Sequence, residues 1–317
     1  MTVDVKAKVG VVMCAYNSER TIVESIKSIQ RQTFSDWHLV IVDDGSTSPL
    51  SDFLATQPVK HECITVIRQG NAGAGQARNR ALEFYTQASV EYICTLDSDD
   101  IWHPQKLELQ QLVLNRDPTI IGVVTRNIFI GDELAYDDCD FEAYDIDAAT
   151  YDRYDDLTCD LLKSDFFFQP TTLMLRQEYL RKFRYRDARC GEDLHPFLLL
   201  GLSDGAVVKM HASMHWERTL AGSLQRNAAS NFKGVQAYID TVSQLLNDQC
   251  FPESLIDQAY EARNRYIRNL IWKGKDRLSF KEFIQTFRQY FGMVKGTKNK
   301  IALCVKGAYY LTQIVVK

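Results

Sequence analysis

A mostly apolar, β-prone run that ends in a cluster of carboxylates constrains the fold of this chain more than any other feature. Tyr92 to Leu96 are mostly apolar, and the next four residues, Asp97 to Asp100, include three aspartates. This pattern predicts a buried strand that delivers charge to the rim of a sheet, where open α/β sheets bind ligands. Carboxylates this close repel one another unless a cation or hydrogen-bond donors hold them. The cluster therefore suits a hard divalent ion, Mn²⁺ or Mg²⁺, which often brings a phosphate with it.

A second interpretation of the same residues is structural. Asp99 or Asp100 could cap the helix that His103-Pro104 introduces, because aspartate favours the N-cap and proline the first turn. From the motif alone the two interpretations stay open. A calcium-binding loop is excluded, because the residues after Asp99 lack both the third spaced ligand and the glycine of such a loop.

Strand and helix patterns alternate along the first half of the chain. Apolar, β-prone runs separated by runs with helical spacing predict a parallel sheet with right-handed crossovers, and therefore an α/β fold. The predicted strands are Val9–Ala15, Leu39–Val42, Cys63–Ile67, Tyr92–Leu96 and Thr171–Leu175, with helices following Asn17-Ser18-Glu19-Arg20 and spanning Asn71–Tyr85.

Two polar turns join the carboxylate cluster as candidate ligand-binding segments. Asp43-Asp44-Gly45-Ser46 follows the second strand and brings two more carboxylates to the same kind of rim. The run Gly70 to Arg78 is glycine-rich and precedes a helix, as phosphate-binding turns do. It is neither a P-loop nor a dinucleotide fingerprint, since Arg78 stands where the third glycine would be. Ligand contact and simple close packing of the helix on the sheet both remain open.

Two later segments complete the candidate features of the first 230 residues. Gly131 to Asp160 is acidic, tyrosine-rich and without clear periodicity, which predicts a surface excursion between strands. Glu192-Asp193 precedes an apolar helical run, so Asp193 is either a helix cap, with Pro196 in the first turn, or a functional carboxylate.

Composition excludes several function classes. The 317 residues carry a net charge of −4 without a long basic stripe, which argues against a nucleic-acid binder. The eight cysteines are scattered singly, without the paired spacing of a zinc site, as reduced thiols are. We recognise neither a signal peptide nor a transmembrane span, and expect a cytoplasmic protein, with any membrane contact peripheral at the inner face of the cell membrane.

The pattern changes near residue 230. Residues 231–317 predict helices without further turn-and-carboxylate motifs, so we expect a domain boundary between 1–230 and 231–317. The basic cluster Lys295 to Lys300 precedes a mostly apolar helix candidate with Tyr309 and Tyr310. This combination suits peripheral contact with an anionic membrane; docking on its own domain, or homo-oligomer formation through these helices, is the alternative.

Five motifs in this order resemble those of family 2 glycosyltransferases, over about Val9 to Arg226. Their order and separations carry the resemblance, since each is weak alone. The motifs are Cys14-Ala15-Tyr16-Asn17, Val42-Asp43-Asp44-Gly45-Ser46, Asn71-Ala72-Gly73 with Ala77-Arg78-Asn79, Leu96-Asp97-Ser98-Asp99-Asp100, and Glu192-Asp193.

The resemblance implies an A-type glycosyltransferase fold, with a nucleotide-binding half over 1–100 and an acceptor-binding half over 101–230. It also implies an inverting, metal-assisted transfer from a nucleotide sugar, with UDP-sugars favoured by family habit, to a glycan or lipid-linked acceptor. Such enzymes build bacterial surface polysaccharides. A catalytically silent nucleotide- or glycan-binding subunit that recruits a partner through its C-terminal helices is the alternative. A sugar nucleotidyltransferase would need a basic glycine-rich loop, which Val9 to Asn17 lacks.

The resemblance also implies residue roles. Asp99 would bind Mn²⁺ or Mg²⁺, and Asp193 would be the general base with support from Glu192. Asp44 would bind the base, Asp97 the ribose side, and Arg78 the base or the diphosphate. The nucleotide pocket would be completed by Ala15, Tyr16, Asn17, Asn71, Gly73 and Ser98.

One departure from the family pattern affects the metal side. Many members carry a histidine in the stretch that corresponds to Glu217 to Ser223, and this chain has Leu220 there. Leucine cannot ligate a metal. Water, weaker metal binding, or a neighbour such as His215 are the alternatives that the sequence leaves open.

Overall fold

A computed structural model describes residues 5–163, 169–186, 193–219, 228–274, 278–304 and 307 of the chain. The described strands form one mixed sheet, in the order β3-β2-β1-β4-β8-β6-β9-β5, with β7 paired to β9. They are β1 (Val9–Ala15), β2 (Trp37–Asp43), β3 (Ile64–Arg68), β4 (Tyr92–Thr95), β5 (Ile101–Trp102), β6 (Ile120–Ile130), β7 (Tyr151–Tyr154), β8 (Met174–Arg176) and β9 (Ala206–Arg218).

Helices alternate with the strands and make up the C-terminal part of the described chain. They are α1 (Ile22–Gln30), α2 (Leu50–Leu54), α3 (Ala74–Tyr85), α4 (Lys106–Arg116), α5 (Leu157–Lys163), α6 (Leu194–Gly201), α7 (Ala228–Asn247), α8 (Glu253–Gly274) and α9 (Phe280–Phe291). Residues 297–304 are also helical. None of these helices combines the length and apolar character needed to cross a membrane.

The four N-terminal strands confirm the predicted parallel sheet. β1 pairs in parallel with both β2 and β4, and β2 pairs in parallel with β3. β1 is almost wholly buried, as expected for a parallel strand covered on both faces. Gly10 allows α3 to approach β1 closely, since a Cβ there would lie 2.7 Å from the ring of Tyr85. Because β1, β2 and β4 are parallel, their C-terminal ends lie at one rim of the sheet.

Several predicted element bounds were wrong by a few residues. The helix predicted from Asn71 begins at Ala74, and the strand predicted over Thr171–Leu175 is a 3₁₀ turn, Pro170–Thr172, followed by β8. The acidic excursion is not irregular throughout, because β7 lies within it and pairs antiparallel with β9. This pairing depends on contacts distant in sequence, which the local pattern does not encode.

The chain divides into two compact units. The first comprises 1–158, 166–189 and 195–221, and the second comprises 159–165, 190–194 and 222–317. The second unit therefore includes two short segments that lie before residue 230. Its apolar core joins α7, α8 and α9 through buried side chains that include Ile239, Ile267, Leu270, Phe283 and Tyr290.

Candidate functional site

The carboxylate cluster follows β4 at the rim of the sheet. Asp97, Asp99 and Asp100 each offer one oxygen, and these three oxygens lie within 4.8 Å of one another. Burial, and then the charges of Asp100 and Asp97, raise the pKa of Asp99 to about 7. The surrounding protein therefore leaves the negative charge of the cluster incompletely compensated. Hard oxygen ligands with uncompensated charge fit a divalent cation such as Mn²⁺ or Mg²⁺.

Asp100 is fixed by the protein on both of its oxygens. Its Oδ1 accepts a hydrogen bond from the backbone N–H of Arg218 at 2.9 Å, and its Oδ2 lies 2.9 Å from Nε2 of His215. The helix-capping interpretation of Asp99 and Asp100 was wrong, because β5 intervenes and the residue that precedes α4 is Gln105. Asp100 thus ties the carboxylate cluster of Asp97, Asp99 and Asp100 to the end of β9.

His215 lies against Asp100 and is fully buried. Burial, followed by the charge of Lys106, lowers the pKa of His215 to about 4, so its imidazole is neutral at physiological pH. Its Nε2 also lies 3.1 Å from Oγ1 of Thr171. Nε2 is therefore engaged with the protein, whereas Nδ1 is buried and has no hydrogen-bond partner in the described part of the chain. Leu220 lies outside the described residues.

Arg78 joins the glycine-turn helix to the carboxylate cluster. Its Nη2 donates to Oδ1 of Asp97 at 2.7 Å, and its guanidinium lies 5.3 Å from the ring centroid of Tyr185. The side-chain amide of Asn79 holds the backbone of Tyr185 in place: Nδ2 of Asn79 donates to the carbonyl oxygen of Tyr185 at 2.8 Å, and Oδ1 of Asn79 accepts from the backbone N–H of Tyr185 at 2.8 Å. The structure therefore brings together two residues, Arg78 and Asp97, that the sequence placed in one nucleotide pocket.

Asp44 lies at the end of β2, where its carboxylate organises the glycine-rich turn. It accepts hydrogen bonds from the backbone N–H groups of Ala72 at 2.9 Å and Gly73 at 2.8 Å, and from Nε2 of Gln69 at 2.8 Å. Gly73 has φ of +92°, a value that favours glycine. Asp44 thus anchors the turn, while the exposed Asn71 stands at its surface.

The end of β1 completes this rim. The carbonyl oxygen of Ala15 accepts a hydrogen bond from the N–H of Asp44 at 2.8 Å, which joins β1 to the turn after β2. Tyr16 is 54% exposed, and Asn17 has a φ of +48°. The Ser98 carbonyl oxygen accepts from Oγ1 of Thr21 at 2.9 Å. The predicted pocket residues therefore surround one rim.

The structure describes only part of the Glu192-Asp193 motif. Glu192 lies outside the described residues. Asp193 directly precedes α6 and belongs to the second compact unit. Its assignment as a general base stays a prediction.

Arg218 is a residue of the site whose contacts the sequence did not predict. Its Nε donates to the carbonyl oxygen of Asp99 at 2.8 Å, and its Nη1 donates to those of Asp132 and Leu134, each at 2.8 Å. It thereby holds the carboxylate cluster and the start of the acidic excursion together. The position of Arg218 in the altered histidine stretch was the available signal, but its partners lie 84 to 119 residues away.

Comparison with known proteins settles the family. The model of the family described as glycosyl transferase family 2 matches residues 10–184, which is more than half of the chain. The chain belongs to glycosyltransferase family 2. The resemblance inferred from the motifs is thereby confirmed.

Curated relatives of this family 2 chain match over different shares of its length. The succinoglycan biosynthesis protein ExoW of Rhizobium meliloti is 41% identical over 32% of this chain and 32% of its own length. WfgD of Escherichia coli, a UDP-Glc:alpha-D-GlcNAc-diphosphoundecaprenol beta-1,3-glucosyltransferase, is 39% identical over 32% of this chain and 39% of its own length. The match therefore spans about a third of each of these relatives.

Solved structures share the fold of this family 2 chain. S. aureus TarS 1-349, in complex with UDP-GlcNAc, has a TM-score of 0.69 at 16% identity, covering 97% of this chain and 88% of that one. The mannosyltransferase PcManGT of Pyrobaculum calidifontis, in complex with GDP-Man and Mn²⁺, has a TM-score of 0.58 at 16% identity, covering 98% of this chain and 84% of that one. The predicted A-type fold with C-terminal helices is confirmed.

Proposed function

We propose that this chain transfers a sugar, with inversion, from a nucleotide sugar to the hydroxyl of a glycan or lipid-linked acceptor. The observation that carries the proposal is the cluster of Asp97, Asp99 and Asp100 at the end of a central parallel strand in a family 2 chain. The name of the relative WfgD specifies UDP-Glc, and the fold neighbour TarS was solved in complex with UDP-GlcNAc. Both observations support UDP as the nucleotide. Surface-polysaccharide synthesis is the expected setting.

Each carboxylate has a proposed role in this reaction. Asp99 holds Mn²⁺ or Mg²⁺, while Asp100 fixes the turn through its contacts with Arg218 and His215. The bound ion supplies Lewis-acid neutralisation of the charge that builds on the departing diphosphate. Asp97 and Arg78 face the nucleotide, and Arg78 remains paired with Asp97 so that neither charge is left alone at the rim.

Asp193 is proposed as the general base, as the family motif implies. A carboxylate within reach of the acceptor hydroxyl accepts its proton as the oxygen attacks the anomeric carbon. Attack opposite the leaving diphosphate inverts the configuration. General-base catalysis of this kind contributes about 10²- to 10⁴-fold.

Turnover of a panel of UDP-sugars tests the proposal. UDP release with Mg²⁺, with water or added glycosides as acceptor, should be measurable for the wild-type chain. Asp99→Asn should lower it by at least about 100-fold, because metal assistance supplies several kcal/mol. Asp193→Asn should lower it by about 10²- to 10⁴-fold.

The exposed Asp36→Asn variant is the matched control and should retain wild-type turnover. Full turnover by Asp99→Asn or Asp193→Asn would contradict the assigned roles. Absence of turnover with every nucleotide sugar, by a chain that still binds nucleotide, would favour the silent subunit.

A further inference from the structure

The paired ends of β6 and β9 carry a set of polar and aromatic side chains beside the carboxylate cluster of Asp97, Asp99 and Asp100. The two strands run in parallel here, with Asn127 opposite His215 and Phe129 opposite Glu217. Side chains of residues opposite each other in a sheet lie on one face, and alternate residues share it. Asn127, Phe129, His215 and Glu217 therefore share one face.

Glu217 is a buried carboxylate with one oxygen fixed and the other without a partner in the described part of the chain. Its Oε2 accepts hydrogen bonds from Nδ2 of Asn127 at 2.8 Å and from Nε2 of Gln169 at 2.7 Å. Only 8% of Glu217 is exposed. Two amide donors on one oxygen hold the carboxylate rigidly, so Oε1 is a preorganised acceptor for a hydroxyl group.

Phe129 extends this face as an exposed aromatic surface. It is 66% exposed, although it lies on a strand whose first half is buried. An exposed aromatic ring next to fixed polar groups is a common feature of binding sites, where the ring supplies contact area and the polar groups supply orientation. A pyranose offers both complements, an apolar C–H face and hydroxyl groups.

The position of these residues relates them to the reaction. Nε2 of His215, two residues before Glu217 on the same face, lies 2.9 Å from Oδ2 of Asp100. The strands β6 and β9 are separated by β8 from the strands whose ends carry the predicted nucleotide residues. The face thus lies across β8 from the strands that carry those residues, and we expect an acceptor rather than a nucleotide there.

We propose that Glu217 and Phe129 form a subsite for the glycan acceptor. Glu217 Oε1 accepts a hydrogen bond from a sugar hydroxyl, and the ring of Phe129 packs against the apolar face of the pyranose. Asn127 and Gln169 act as positioning residues that fix the carboxylate. This inference rests on the proposed glycosyl transfer and names the acceptor side of the same site.

Two substitutions separate binding from folding. In Glu217→Gln, the amide oxygen can still accept from Asn127 and Gln169, so the internal hydrogen bonds survive while a donor NH₂ replaces the free acceptor. Phe129→Ala removes the exposed ring at little cost to the core. The control is Ile128→Ala, on the same strand but on the opposite face, at a residue that is 40% exposed.

Saturation-transfer NMR with methyl glycosides of glucose, galactose and N-acetylglucosamine tests the proposal on the full chain with UDP and Mg²⁺. At least one glycoside should bind to the wild-type chain. Glu217→Gln and Phe129→Ala should each raise its dissociation constant about tenfold, as expected for a lost hydrogen bond to a charged group or a lost aromatic contact. Ile128→Ala, and the UDP affinity of all variants, should stay at wild-type values.

The possible failures are distinguishable. Unchanged glycoside affinity in both variants would overturn the subsite, as would a wild-type chain that binds UDP but none of the glycosides. A chain that binds glycosides through Glu217 and Phe129 but no nucleotide would overturn the proposed function and leave the subsite standing. Equal thermal midpoints of the variants would show that folding is intact.

Discussion

Asp99 lies in surroundings that oppose its ionisation. Burial and two neighbouring aspartates raise its pKa from 3.8 to about 7. The folded chain therefore binds this proton more tightly than the unfolded chain does. The resulting stability is fully present below about pH 4 and is lost as the pH rises through about 7. A stabilising proton at low pH and a bound cation at higher pH are alternative ways to neutralise the same cluster.

We expect Asp99→Asn to remove this pH dependence. When a chelator is present, the titration of Asp99 should lower the free energy of unfolding of the wild-type chain by up to about 1.4 kcal/mol per pH unit as the pH rises from about 4 to 7. Urea denaturation of both chains at pH 5, 6, 7 and 8 measures the difference. Asp99→Asn should gain stability relative to the wild type as the pH rises. A constant difference would show that Asp99 titrates normally.

The effect of divalent ions on the thermal midpoint tests the same residue, Asp99. At pH 8, Mn²⁺ should raise the thermal midpoint of the wild-type chain, because an ion that binds only the folded state stabilises it by mass action. Asp99→Asn should show little of this shift. Thermal unfolding scans with and without Mn²⁺ measure the shift in each chain. An equal shift in the wild-type chain and in Asp99→Asn would place the ion elsewhere.

At the scale of the element, the glycine-rich turn is built around a carboxylate from a neighbouring strand. Asp44 leaves β2 and binds two backbone N–H groups of the turn that begins α3. These two hydrogen bonds hold the turn in its conformation. Asp44 therefore shapes the predicted nucleotide pocket whether or not it also contacts the base.

Asp44→Asn should destabilise the chain by about 1–3 kcal/mol. The amide NH₂ would face a backbone donor and leave a buried group without its hydrogen bond. Urea denaturation checks this value, with the exposed Asp36→Asn as the control. A loss of nucleotide affinity without a loss of stability would instead assign Asp44 to the ligand alone.

Local patterns predicted the N-terminal elements well and the later ones poorly. The bounds of β1 were predicted without error, because a continuous apolar run is what a doubly covered parallel strand requires. β9 was not predicted as a strand, since its 13 residues mix histidine, charged and apolar side chains. Motifs likewise named Asp99 and Asp100, but not the bonds of Arg218 and His215 that hold them. Those bonds arise only from tertiary pairing.

At the scale of the whole molecule, the C-terminal unit has a core of its own, and its basic cluster is attached to that core. Val294 and Leu303, on either side of the cluster, are buried among the helices. The ammonium of Lys295 lies 3.9 Å from the ring centroid of Tyr260. Truncation before the cluster would therefore damage the core, so charge substitution is the cleaner test of membrane contact.

Flotation with liposomes that contain anionic lipid tests the predicted peripheral contact. The wild-type chain should float, and the Lys295→Gln, Lys298→Gln, Lys300→Gln triple variant should float less, because each basic residue near an anionic surface contributes about 1 kcal/mol. Equal flotation of the two chains would end this prediction. Sedimentation of the same samples without lipid tests the homo-oligomer alternative.

Calorimetric titration of the wild-type chain with UDP, GDP and dTDP, each with Mn²⁺ and again with a chelator, tests the central claim most directly. We predict that UDP binds with Mn²⁺ and much more weakly when a chelator is present, because the proposed role of Asp99 is to hold the divalent ion that neutralises the diphosphate. Binding of another nucleotide would change the donor class. Binding of none, or binding that is indifferent to the chelator, would contradict a metal-assisted nucleotide-sugar transferase.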